Sequence, residues 1–154
     1  MLNKDFKKLI ESLHSTARSN AVDFLAVGAY ALAVHGRPRY TSHLDIWVRS
    51  EPDNFTRLIK ALDAFGFAAL GVLTEDFMAP QAMVQFDYPP ARIHLLTSID
   101  SVTFDECFTH RLDVAIGRTL LPVISTDDLI RNKLATDRAK DLVDVESLRA
   151  RETE

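Results

Sequence analysis

The segment His43-Leu-Asp-Ile-Trp-Val48 constrains the fold most, because its side chains alternate cleanly. Leu44, Ile46 and Val48 form one apolar set, while His43, Asp45 and Trp47 form the other. A period of two is the signature of a strand with one face on a core. A second run, Arg92-Ile-His-Leu-Leu96, sets Arg92 and His94 opposite Ile93 and Leu95 in the same manner. Asp23-Phe-Leu-Ala-Val27 is a short apolar run ending at Gly28, and reads as a buried strand. Ala82 to Phe86 can form another, followed by a turn at Asp87-Tyr-Pro-Pro90. Leu112 to Ile116 and Arg118 to Ile124 flank Gly117 as a possible hairpin.

Helices alternate with these strands. Phe6, Leu9, Ile10 and Leu13 recur at helical spacing. Ala29 to His35 is rich in helix formers and meets Gly36, a natural C′ residue. Ser50 and Asp53 have capping-box spacing before a helix carrying Phe55, Leu58, Ile59, Leu62 and Phe65, ended by Gly66. Thr103 and Glu106 mark another capping box. Ser125 caps a helix through Leu129, Ile130 and Lys133, and a last helix covers roughly Lys140 to Arg149. Hairpin-like connections and crossovers are mixed, so the expected fold is α/β (α+β), a mixed sheet flanked by helices. The 154 residues fit a single domain over 1–154, with no repeat and no Gly-, Pro- or Ser-rich linker to divide them.

Composition narrows the function classes. At 47% apolar and 26% charged residues the chain can bury a core and is neither disordered nor membranous. The apolar runs fall far short of a bilayer span, and the charged amphipathic opening carries no signal-peptide pattern. A cytoplasmic location is expected. The single cysteine, Cys107, excludes an intramolecular disulfide and a cysteine-rich zinc site, and reads as a packed residue in a short helix. A net charge of −4 argues against a broad nucleic-acid-binding surface. It leaves room for a small basic pocket that takes a nucleotide, or for contact with one RNA end.

His43 and Asp45 share a strand face, and His94 lies on the polar face of another strand. If those strands are neighbours, one carboxylate and two imidazoles converge on a rigid support, a set suited to a divalent ion. Spacing alone equally fits an ordinary half-exposed sheet face, since His-x-Asp is common by chance. Gly28 permits close backbone approach between a strand and a helix, where an anion is favoured. A tight turn explains it as well.

These residues together resemble a known family. Val27-Gly-Ala-Tyr-Ala31, Gly36-Arg-Pro-Arg-Tyr-Thr41 and Leu44-Asp-Ile-Trp-Val48 look like the nucleotidyltransferase fold of the DNA polymerase β superfamily. More narrowly, they resemble the small bacterial members related to minimal nucleotidyltransferases and abortive-infection toxins. Asp128-Leu-Ile-Arg-Asn-Lys-Leu-Ala135 and Arg138-Ala-Lys-Asp-Leu-Val-Asp144 extend the likeness, which runs from about Phe24 to Leu148. The family pattern is a strand, Gly-Gly or Gly-Ser, a helix, Asp-x-Asp on the next strand and a third carboxylate later. Here the first aspartate falls at His43 and the third at His94, leaving only Asp45, and Ala29 replaces the second Gly or Ser.

The resemblance implies transfer of a nucleotidyl group from an NTP, ATP being the first candidate, with magnesium on the carboxylates. Catalytic and metal roles then fall to Asp45, His43 and His94, and nucleotide contacts to Gly28, Ala29, Arg39 and Lys133, with Arg138 and Lys140 as further phosphate contacts. Each of these basic residues also reads as an ordinary solvated charge. Asp141 and Asp144 read as helix-terminal and surface charges. Trp47 either stacks on a base or packs as wall, the second being commoner. Two histidines weaken a magnesium site and suit zinc or another transition metal. The acceptor is a protein or tRNA hydroxyl, or a small molecule. Two other readings stay open: an inactive binding module of this fold, as in a toxin–antitoxin partner, and a two-His-one-Asp metal hydrolase. No P-loop, Gly-x-Ser-x-Gly or His-Glu-x-x-His motif is present.

Overall fold

The computed structural model describes residues 4–36, 43–67, 71–88, 91–117, 119–136 and 139–152. The elements run α1 (Lys4–Ser19), β1 (Phe24–Val27), α2 (Gly28–Val34), β2 (His43–Val48), α3 (Pro52–Phe65), a 3-10 turn (Thr74–Phe77), β3 (Met83–Tyr88), β4 (Ala91–Leu96), α4 (Phe104–Thr109), β5 (Leu112–Ile116), β6 (Thr119–Val123), α5 (Thr126–Thr136) and α6 (Ala139–Glu152). The strands form one six-stranded sheet in the order β3-β4-β2-β1-β6-β5. It is mixed: β2 pairs β4 and β1 pairs β6 in parallel, while β1–β2, β3–β4 and β5–β6 are antiparallel.

The alternation in β2 translates directly into two faces. Leu44, Ile46 and Val48 join Phe24, Leu95 and Leu121 from neighbouring strands, and meet Leu13 and Ala17 of α1 and Leu58, Ala61 and Leu62 of α3. These side chains surround a small apolar void, and all are buried. His14 lines the same void, 3% exposed, edge-on to Phe24. The other face of β2 carries His43, Asp45 and Trp47. Trp47 is 2% exposed and meets Phe104 of α4 edge-on, with ring centroids 5.3 Å apart.

Several boundaries differ from the sequence expectations. Glu51, not Ser50, is the N-cap of α3, and Pro52 opens the helix, so the fixed ring geometry of proline replaces the capping box. Thr103 is the N-cap of α4 but makes no side-chain cap hydrogen bond. Ser125 does cap α5, accepting from the Asp128 N–H at 3.2 Å. β3 runs on through Asp87 and Tyr88, expected to turn, because pairing with Arg92 and Ala91 extends the ladder. Pro89 and Pro90 lie outside the described residues. Cys107 is fully buried in α4, as expected. At the β5–β6 turn, Gly117 has φ +60, and a Cβ there would overlap the Glu11 carboxylate reaching across from α1.

Candidate functional site

The parallel pairing of β2 with β4 sets Asp45 directly opposite His94. Asp45 Oδ1 and His94 Nδ1 approach to 2.9 Å. His43, two residues earlier on the same face, lies edge-on to the His94 ring, with centroids 5.1 Å apart. The three residues singled out in the sequence therefore share one patch of one sheet face. Asp45 and His94 are half-buried and His43 is exposed.

The hydrogen bonding of this patch is incomplete. The Asp45–His94 approach is close, but it is not aligned as a hydrogen bond. Asp45 Oδ1 and His94 Nε2 are both buried without a hydrogen-bond partner. A buried polar atom left so costs about 1–3 kcal/mol. Asp45 Oδ1 still stands 2.9 Å from His94 Nδ1, so His94 Nε2 is the donor atom left without a partner.

Gly28 forms the wall of the patch. Val27 pairs with Asp45 across the antiparallel β1–β2 ladder, and the chain then turns through Gly28 at φ +66. A Cβ at this position would overlap Asp45 Oδ2 and stand 3.1 Å from Asp45 Cγ. Only glycine allows both the backbone conformation and this approach. Ala29 follows in the first turn of α2, half-buried. Because α2 has only seven residues, its dipole adds little to anion binding.

The basic residues divide differently. Lys133 is 7% exposed, and its Nζ donates to Asp144 Oδ2 at 3.1 Å, tying α5 to α6. It is not a solvated charge. Asp144, expected on the surface, is 1% exposed, because the helix pair buries the side of α6 that carries it. Trp47 is wall, walled off by Phe104, and so is closed to a base. Arg39 and Arg138 lie outside the described residues, as do the side chains of Lys140 and Asp141.

One cluster had no counterpart among the sequence expectations. Among the described residues, one group of three His, Cys, Asp or Glu has ligand atoms all within 4.8 Å of one another: Glu106, His110 and Asp128. The only sequence signal was Glu106 four residues before His110, a same-face helical spacing. Asp128 comes from another element. Cys107, beside it, is pushed up to about 12 by burial first, and then by the charge and hydrogen bond of Asp128. It remains a thiol.

No protein-family model matches the sequence, and no curated protein sequence matches it. Among solved structures, the chain is similar to a protein of Thermotoga maritima provisionally described as a nucleotidyltransferase. The TM-score is 0.61 at 10% identity, covering 99% of this chain and 96% of the other. At that identity the likeness shows the fold alone: a mixed α/β arrangement shared with that protein over nearly the whole chain. No helix of the described residues is long and apolar enough to cross a membrane.

Proposed function

We propose that the chain is a nucleotidyltransferase-type protein that binds a nucleoside triphosphate at the Gly28–Asp45 corner through a divalent ion. The observation that carries the reading is the convergence of Asp45, His94 and His43 on one sheet face, with His94 Nε2 buried and without a hydrogen-bond partner. The donor set fits a transition metal, since imidazole nitrogen binds zinc well. It does not fit a pair of magnesium ions, which prefer oxygen ligands and give up hydration reluctantly. Asp45 and His94 would hold the ion, with His43 joining them by turning its ring. Such an ion would offset phosphate charge while an acceptor hydroxyl attacks the α-phosphorus and pyrophosphate leaves.

The chain's own residues do the rest. Gly28 lets the Asp45 carboxylate lie against the backbone, which fixes the carboxylate's position at the corner. The rigid β2–β4 pairing holds both donors in register. ATP is the natural nucleotide to try first, and the acceptor is a protein or RNA hydroxyl. That only Asp45 brings a carboxylate favours a second reading, in which the domain binds nucleotide or a partner, as in a toxin–antitoxin pair, without transferring anything.

Nucleotide calorimetry tests the assignment. In magnesium the protein should bind ATP only weakly, on the order of millimolar, or about −4 kcal/mol. The His43→Asp/His94→Asp double variant should bind at least about tenfold tighter, a gain of ~1.4 kcal/mol. A folded double variant with unchanged magnesium-dependent binding shows that the site is elsewhere. Incubation of the unsubstituted chain with zinc, labelled ATP and a cell extract then separates the two readings, since transfer of label to RNA or protein requires catalysis.

A further inference from the structure

Glu106 and His110 sit four residues apart at the end of α4, so their side chains leave the same face. Asp128 lies in the first turn of α5, its backbone N–H held by Ser125. His110 Nδ1 is 3.1 Å from Asp128 Oδ2. The Arg131 guanidinium reaches both acids, touching Glu106 and standing 3.2 Å from Asp128 Oδ1. Two carboxylates and an imidazole therefore converge around one cation supplied by the chain itself.

The exposures differ in a way that matters. The Asp128 side chain is 2% exposed, so its charge requires a cation close by. The His110 side chain is 53% exposed and that of Arg131 49%, so the cluster opens to solvent on the side where Arg131 lies. An ion-pair tie between α4 and α5 needs only Arg131 and the two acids. His110 adds a nitrogen donor to it. Tetrahedral zinc holds its ligand atoms roughly 3.4 Å apart, at bond lengths of about 2.0–2.2 Å. The ligand atoms here lie within 4.8 Å of one another.

We propose that Glu106, His110 and Asp128 form a binding site for a zinc-class divalent ion, separate from the Asp45 corner, with Arg131 as its built-in competitor. Metal entry displaces the guanidinium into solvent, and the ion takes its place as the cation beside the buried Asp128 carboxylate. The neutral imidazole and two carboxylates then carry the ion, with a fourth position left for water. Arg131 sets the affinity: while it occupies the cluster, every bound ion must first expel it.

Zinc calorimetry on the full chain tests this near neutral pH, in a His43→Ala/His94→Ala background that removes the imidazoles of the other patch. One zinc equivalent should remain. Adding His110→Ala should abolish it, and circular dichroism checks that this exposed substitution leaves the fold intact. Adding Arg131→Gln instead should tighten binding by about tenfold, because a positive charge at the site is removed. The site is overturned if no zinc binds in the background, if binding is indifferent to His110→Ala, or if Arg131→Gln weakens it.

Discussion

Gly28 and Asp45 define each other. The glycine turns at positive φ, and the aspartate fills the space its side chain would take. Gly28→Ala must strain the backbone by roughly 1–2 kcal/mol and push the carboxylate aside. Urea denaturation should show that loss, and nucleotide calorimetry on the same variant should show weakened binding. His14 makes a different prediction. Its ring is 3% exposed and its Nδ1 has no partner, and burial lowers its pKa from 6.5, outweighing a backbone hydrogen bond at Leu120. The unfolded chain takes up a proton there as pH falls through 6.5, while the folded chain resists it. The stability is thus complete above 6.5 and declines below it. His14→Leu should flatten the fall of the urea midpoint between neutral and mildly acidic pH. At this scale the sequence revealed His43, Asp45 and His94, because strand alternation sorts faces. It did not reveal that Trp47 is covered, since Phe104 comes from a distant helix, nor the Glu106–His110–Asp128 group, assembled from two helices whose packing has no local sequence signal.

Elements were legible in proportion to their punctuation. Gly66 ends α3 at φ 111 and Ser125 starts α5, and both were read from residue type alone. Ser50 misled, because Pro52 two residues later already fixes a helix start. The pairing of α5 with α6 escaped altogether. Leu129 and Ile130 of α5 and Val145 and Leu148 of α6 are buried, and the buried Lys133–Asp144 bond joins the two helices. Lys133→Met should cost about 3–5 kcal/mol, because it leaves a buried carboxylate without its ammonium partner. The double substitution Lys133→Met/Asp144→Leu should recover most of that, since an apolar pair of similar volume avoids desolvating two charges. Chemical denaturation of the three variants measures both effects. A Lys133→Met chain as stable as the parent would show that the bond contributes nothing.

The whole sheet is less uniform than its single strand order suggests. Leu25, Ala26 and Val48 are completely buried in β1 and β2, whereas β5 is an edge strand with exposed residues along it. Amide hydrogen exchange should therefore be slowest in β1, β2 and β4, and at least about tenfold faster in β5. Equal protection would mean that the sheet opens only as one unit. The mixed α/β architecture was legible because strand-like and helix-like periods alternate along the chain; the strand order was not, since parallel neighbours are joined by long connections that carry no pairing signal. One joint remains to be considered. The Glu11 carboxylate of α1 occupies the space that a side chain at Gly117 would need. During synthesis α1 leaves the ribosome well before the β5–β6 turn, so its seat there is made only after the five intervening strands have followed. A nascent chain stalled before that turn would hold α1 by α3 and the first strands alone, and proteases should cut it faster there than in the finished fold.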